Sequence, residues 1–168
     1  MNELLNKLSS YNLFNYLFPG VLFVVLLKET TNINLIQGSI IEGVFLYYFI
    51  GLIISRIGSV LVEPVLLFFK FIKYADPIDF KKADNQDSQI KLHLEINNML
   101  RTLIALMFVW LIIVVTDSLG LKIDFKSEIV VISIITLLLV LFLFSFKKQT
   151  KFINRRIKFI LKDENDTN

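Results

Sequence analysis

Four apolar stretches, separated by polar segments, dominate the pattern of the chain. They lie at about residues 12–27, 35–62, 101–117 and 129–146. The last stretch contains no charged residue and is long enough for a helix that crosses a bilayer. The pattern therefore predicts an all-α membrane protein with about four transmembrane helices.

The first stretch is interrupted by Pro19 and Gly20. Proline inside a helix removes a hydrogen bond and bends the axis. We therefore expect a helix that enters at the membrane interface and bends near this pair. A short anchor that does not cross the membrane is the alternative.

The composition agrees with a membrane protein and narrows its chemistry. Hydrophobic residues make up 55% of the chain, above the roughly 45–50% that is usual in soluble domains. Cysteine is absent and His93 is the only histidine, so we expect neither a metal site nor a cofactor. The sequence has no H-E-x-x-H, G-x-S-x-G or P-loop motif. We therefore expect no catalytic residues and no enzymatic activity.

The polar segments divide the chain into two membrane hairpins and two soluble regions. The hairpins cover residues 1–74 and 101–146, with a helical segment at 75–100 and a basic tail at 147–168. With four spans, and with Arg56 of the second span counted on the same side, 15 Lys and Arg residues fall on the side of both termini and the helical segment, and three fall on the other side. The positive-inside rule therefore predicts that both termini and the helical segment lie in the cytoplasm.

The two soluble regions carry candidate anion-binding residues. In the segment 75–100 and just after it, His93, Asn97 and Arg101 recur every four residues and would share one face of a helix. The tail repeats apolar residues at helical spacing between basic ones, which predicts an amphipathic helix that lies on anionic lipid or packs against a partner. A solvated face, or a contact between segment and tail, is the alternative to a ligand site. The candidate set is Lys91, His93, Asn97, Arg101, Arg155 and Arg156.

The second apolar stretch carries charges at a regular spacing. Glu42, Phe49, Arg56, Glu63 and Lys70 follow one another every seven residues, and such positions share a face of an α-helix. We interpret them as a polar stripe on one continuous helix. Residues seven apart lie about 10 Å apart along the axis, too far for a direct pair. The partner of Arg56 is therefore expected from Glu63 or Glu42 of a neighbouring subunit, in a homo-oligomer. Alternatively, Arg56 reaches the interface and the helix ends at Glu63.

Small residues form a second stripe on the same helix. Gly51, Ser55, Gly58 and Ser59 lie about a third of a turn from Arg56. Small side chains allow helix backbones to approach closely in lipid. This stripe predicts a helix-packing surface.

Three segments of the chain resemble a group of small bacterial membrane proteins. The segments are "LSSYNLFNYLFPGVLF", "ISRIGSVLVEP" and "NNMLRTLIAL", and the group includes membrane effectors of anti-phage systems of the Hailong type. The resemblance implies an oligomeric channel that kills or stalls an infected cell. It also implies a nucleotide or single-stranded oligonucleotide ligand, made by a partner nucleotidyltransferase, that sets the state of the channel.

Two other functional classes are compatible with the residues. A non-conducting membrane anchor or adaptor would use the soluble segment and the basic tail as its working surface. Small four-helix transporters also carry a glutamate within the membrane, but they lack a long soluble segment and a basic tail of this kind.

Overall fold

The computed structural model describes residues 13–120 and 125–166, and within them the side chains of 14, 117–120, 125–128 and 163–166 are not described. The described residues are mostly helical and contain no strand, which confirms the all-α prediction. The helices are α1 (Phe18–Thr30), α2 (Ile40–Ile57), α3 (Glu63–Phe68), α4 (Pro77–Gln86), α5 (Gln89–Gly120) and α6 (Phe125–Asp166), with π-helical turns at Leu13–Leu17 and Gly58–Val62.

Three helical stretches of the described chain are long and apolar enough to cross a membrane. They are Ile40–Phe68, Gln89–Thr116 and Ile129–Lys162, and they are compatible with a multi-pass membrane protein. Helix α1 has 13 residues, or about 20 Å at 1.5 Å per residue, which is short of a hydrocarbon core of about 30 Å. A fourth span, whose predicted range begins at residue 12 outside the described part, is therefore not confirmed. The side on which the termini lie remains a prediction.

Helices α1 and α2 cross at two glycines that leave no room for a side chain. A Cβ on Gly20 would lie 1.8 Å from the carbonyl oxygen of Tyr47. One on Gly51 would lie 1.7 Å from the carbonyl oxygen of Tyr16. The backbones of the two helices are therefore in direct contact, as small residues permit in lipid.

The proline of the first apolar stretch lies in the first turn of α1. The backbone before it is already helical, since Leu13–Leu17 form a π turn and Leu17 lies in the α region, so Pro19 removes one donor from a continuous helical ladder. The irregularity that Pro19 predicts takes the form of the π turn at Leu13–Leu17, immediately before it.

The packed interior of the membrane region joins α1, α2, α5 and α6. The indole N–H of Trp110 on α5 donates to the hydroxyl of Thr30, at the end of α1, over 2.9 Å. This bond holds the C-terminal end of α1 against α5. It also satisfies the indole N–H of Trp110, which is only 5% exposed. The buried residues of this core are Phe23, Leu27, Ile54, Ala105, Leu106, Met107, Trp110, Val114 and Ile135.

The soluble segment and the basic tail pack against each other. Helix α5 begins in the soluble segment and continues into a span, and α6 continues from a span into the tail. A second core of Ala83, Ile90, Ile153 and Ile157 joins α4, α5 and α6 outside the apolar spans. Ile153 and Ile157 of the tail are therefore covered by the chain itself. We call this part of the molecule the polar end.

Two aspartates begin the helices of the polar end. The carboxylate of Asp76 accepts from the N–H of Ile78 over 2.8 Å at the start of α4. The carboxylate of Asp87 accepts from the N–H of Gln89 over 2.9 Å at the start of α5. Such caps satisfy free donors and define where each helix starts.

The glycine crossing leads to a stability prediction. Gly51→Ala should lower the free energy of unfolding by about 1–3 kcal/mol, because the added methyl meets a backbone carbonyl that cannot move aside. Gly38→Ala is the matched control, since a Cβ there meets nothing within 4 Å. Thermal unfolding of the purified protein in detergent measures both. Equal midpoints for the two variants would contradict the crossing.

Candidate functional site at the Glu63–Arg101 ion pair

The charges of the second apolar stretch do not form the single stripe predicted from their spacing. Glu42, Phe49 and Arg56 lie on one exposed face of α2. We call it the charged face. Glu63 is turned away from this face, and Lys70 lies beyond the end of α3 with a φ of 55°. The helical stretch is continuous over Ile40–Phe68, but the charges from Glu42 to Lys70 do not share one face of it.

The π turn at Gly58–Val62 is the physical reason for this difference. Bonds from residue i to i+5 wind the chain less per residue than the i to i+4 bonds of an α-helix. The N–H of Glu63 donates to the carbonyl of Gly58 in this manner. Glu63 therefore points in a different direction from the one it would have after seven α-helical residues from Arg56.

Glu63 forms an ion pair with Arg101 of the same chain. The guanidinium Nη1 of Arg101 donates to Oε2 of the Glu63 carboxylate. The side chains of Arg101 and Glu63 are only 16% and 21% exposed, respectively. The pair joins α3 to α5 at the boundary between the apolar spans and the polar end. Partial burial makes such a pair costly to break, because either partner alone would be a charge with little water.

Tyr74 lies next to this pair. Burial of its hydroxyl end, and next the Glu63 carboxylate, raise the pKa of the Tyr74 phenol well above its ordinary value. The phenol is therefore protonated at any physiological pH and can donate a hydrogen bond. The sequence pattern gave no signal for Tyr74 or for a partner of Glu63 that lies 38 residues away.

Arg56 has no ion-pair partner within residues 13–120 and 125–166. It is exposed on the charged face, sixteen residues after Ile40 and twelve before Phe68 in the span. The Glu63 carboxylate that we expected opposite Arg56 in a neighbouring subunit is already engaged by Arg101. Arg56 is therefore the basic residue of this span that the described fold leaves without a counter-charge.

The small-residue stripe packs within the chain. Gly51 contacts α1, as described above, and Gly58 contacts α5, where an added Cβ would lie 3.2 Å from the carbonyl oxygen of Arg101. The hydroxyls of Ser55 and Thr102 are hydrogen-bonded over 3.2 Å. Ser59 is half-buried next to Gly58. These contacts position the start of the π turn against α5.

The candidate anion-binding residues do not form one cluster. Lys91 lies 3.8 Å from Asp84, with its side chain 70% exposed, so this pair adds little stability. His93 packs edge-on against Phe152 with ring centroids 4.7 Å apart. Its carbonyl accepts from Gln149 over 3.2 Å. These residues form contacts between neighbouring helices.

The two tail arginines lie in different settings. Arg156 forms an ion pair with Asp87, and Arg155 is exposed. The hydrogen bond from Arg156, and next the N–H of Gln89, hold the pKa of the Asp87 carboxyl below its usual value. Arg156 therefore ties the tail to the start of α5 and is not available as a free anion-binding group.

Asn97 and Arg101 line a cavity of about 320 Å³ at the polar end. Asn97 is buried and its Oδ1 accepts from the hydroxyl of Thr150 over 3.2 Å. The Nε of Arg101 is buried without a hydrogen-bond partner. The polar residues of the wall are Glu63, Tyr74, Asn97, Asn98, Arg101, Thr150 and Asn154, and the apolar ones are Ala75, Pro77, Phe80, Leu94, Ile153 and Ile157.

The cavity has the chemistry of a binding site for a small ligand. Apolar walls with a few convergent polar groups are typical of such sites. Arg101 contributes a guanidinium to the wall, and the side chains of Asn97 and Tyr74 add amide and hydroxyl groups. No cluster of metal ligands is found among the described residues. Comparison with protein-family models, curated proteins and solved structures finds no match for this chain.

The ion pair leads to a second prediction. Glu63→Gln and Arg101→Gln should each lower the free energy of unfolding by about 3–5 kcal/mol, because each leaves one buried charge alone. The double variant should lose less than the sum of the two, since neither charge remains. Thermal unfolding in detergent gives the coupling, and Lys91→Gln, at a 70% exposed side chain, is the control. Strictly additive losses would show that the two residues do not interact.

Proposed function

We propose that this chain is an oligomeric integral membrane protein of the bacterial inner membrane that conducts ions and thereby depolarises the cell. Subunits associate through the charged face of α2, and Arg56 lines the water-filled path between them. A ligand at the cavity of the polar end, on the cytoplasmic side, controls the opening.

The observation that carries this proposal is an exposed arginine within a membrane span. A charge at the bilayer centre costs from about 2.5 to more than 10 kcal/mol, unless it is paired or wetted. Arg56 shares its face with large exposed side chains, among them Phe45 and Phe49 at 74% and 60% exposure. Association of subunits on this face removes apolar surface from lipid and encloses Arg56 between the subunits. We call this interface between the charged faces of neighbouring subunits the seam.

The engagement of Glu63 favours a wetted seam over a dry one. With Glu63 held by Arg101, the other acidic residue of the charged face is Glu42, fourteen residues or about 21 Å away along the axis. In a ring of Arg56 side chains without nearby carboxylates, the guanidinium charges have to be hydrated by water in the seam. Water along the seam, in turn, provides a route for ions, and rings of Arg or Lys side chains are a known lining of ion pores.

The resemblance described above supplies the biological setting of the proposal. Effectors of anti-phage systems that depolarise the membrane need a channel that is silent until a signal changes. A nucleotide or single-stranded oligonucleotide from a partner nucleotidyltransferase would bind at the polar end, where Arg101 and Asn97 line the cavity. Guanidinium and amide groups suit phosphate and base edges, respectively.

Depolarisation is tested by overproduction in bacterial cells. We expect unregulated wild-type protein to collapse the membrane potential and arrest growth. Arg56→Gln and Glu42→Gln should change both effects in a graded manner, because they alter the charge of the seam. Lys81→Gln, an exposed lysine of α4, is the matched control. A potential-sensitive dye and growth curves provide the measurement, with single-channel recordings as the direct assay. Unchanged potential and growth, together with silent recordings, would refute conduction.

Ligand binding at the cavity is tested with Arg101→Lys. Lysine retains a positive charge for Glu63 but lacks the fixed fork of N–H donors, so binding of an anionic ligand should weaken at least tenfold. Calorimetry with cyclic nucleotides and short single strands is the assay. Affinity should also fall steeply as salt rises, because phosphate contacts release counterions. Arg155→Lys is the control, and equal binding by wild type and Arg101→Lys would move the site to the tail.

A non-conducting anchor or adaptor is the second candidate function. The polar end exposes large apolar side chains, with Ile78 and Phe159 each 66% exposed, which would suit contact with another protein. A protein that leaves the potential intact but co-purifies in fixed stoichiometry with a soluble partner would have this function.

A further inference from the structure

The π turn at Gly58–Val62 lies between the two charges whose spacing suggested a stripe. In an α-helix, Glu63 would lie only about 20° from the direction of Arg56. In the π form it meets Arg101 on α5. One segment thus has two helical registers, and the register decides whether Glu63 faces the charged face or the polar end.

The hydrogen-bond ladder allows this change of register at the end of the π turn. The N–H of Glu63 donates to the carbonyl of Gly58, and in an α-helix it would donate to that of Ser59 instead. The next residue, Pro64, has no N–H. The ladder therefore lacks a donor at the point where the π turn returns to α-helix, so few bonds have to be exchanged there.

Both ends of the movable part are anchored. Gly58 lies against α5, where a Cβ would be 3.2 Å from the carbonyl oxygen of Arg101. Ile72 is 5% exposed in a small core with Ile104 and Phe146. Between them, Lys70 adopts a φ of 55°, in the left-handed region that a side chain rarely occupies. The N–H groups of Lys70 and Phe71 donate to the carbonyls of Leu67 and Leu66 over 2.9 Å and cap α3, so a rotation of α3 takes this turn with it and is absorbed by the chain that follows.

The rotating part has few close contacts to lose. Helix α3 has six residues, and Phe68 is 80% exposed. An apolar groove of about 270 Å³ lies along the segment. Leu66 of α3 and Leu143 of α6 both line it and pack against the same small core. The groove gives the side chains of the segment room to turn.

We propose that the π turn is a register switch for the seam. In the described state Arg101 holds Glu63, and the charged face presents Arg56 alone. An anion that takes Arg101 from the cavity releases Glu63, the segment returns to α-helix, and Glu63 joins the charged face near Arg56. The net charge of the seam then falls, so that water and ions are held less strongly. This inference rests on the proposed function, because it assigns the seam to the charged face.

A cross-link within one subunit reports the register directly. The natural chain has no cysteine, so the pair Leu66→Cys and Leu143→Cys can be joined by a short bifunctional thiol reagent without background. We expect efficient joining in the described state. Arg101→Ala should lower the yield at least fivefold, because α3 turns Leu66 away from the groove, whereas Arg101→Lys should preserve it.

Deletion of Val60 is the decisive companion variant. A π turn contains one residue more than an α-helical turn. If one residue is removed, an uninterrupted α-helix places Leu66 in the same direction as the π turn does in the wild-type chain. The Arg101→Ala protein with this deletion should therefore regain the cross-link. A yield that Arg101→Ala leaves unchanged, or that the deletion does not restore, would overturn the switch.

A separate cysteine distinguishes failure of the switch from failure of the seam. Phe49→Cys lies on the charged face in both registers and should join neighbouring subunits in every background. Loss of this joining alone would reject the oligomer while the cross-link within the subunit still reports the register. Joining at Phe49→Cys, with an insensitive Leu66–Leu143 cross-link, would reject the switch alone.

Discussion

The ion pair between Glu63 and Arg101 is the interaction on which the arrangement of charges depends. It lies at the boundary between the apolar spans and the polar end, where α3 meets α5. A charge at such a depth has little water, so each partner needs the other. Because the pair uses the carboxylate that would otherwise lie beside Arg56, it leaves a positive charge alone on the charged face. The same pair closes one wall of the cavity at the polar end.

The pair depends on local features on both sides of it. The π turn directs Glu63 toward α5, and Gly58 allows the two backbones to approach closely enough for the contact. Tyr74 covers the pair from the segment that follows α3. On the far side, the amide of Asn154 donates to the carbonyl of Lys73 over 2.6 Å, which ties that segment to α6. Side chains from three parts of the chain therefore determine the position of one ion pair.

Periodicity predicted the features that repeat along one helix. Three of the apolar stretches correspond to helices that are long and apolar enough to cross a membrane, and the spacing of Ile153 and Ile157 indicated the apolar face of the tail helix. Features that depend on distant residues left no such signal. The partner of Glu63 is 38 residues away, and the cover of the tail comes from α4, about 70 residues earlier. The π turn was missed for a further reason, since a heptad count assumes a constant number of residues per turn.

The continuity of α5 and α6 connects the polar end to the membrane region mechanically. Each helix passes the boundary without a break, and the two are joined there by the Asn97–Thr150 hydrogen bond. A ligand that fills the cavity therefore contacts two helices whose other halves form part of the packed core of the membrane region. The α3 segment differs from them, because it is short and lies between a π turn and the left-handed turn at Lys70. Rigid elements that surround one short and loosely held segment concentrate any movement in that segment. The carboxylate of Glu63 lies at the beginning of it, so a change in the cavity is expressed as a change in the direction of this one charge.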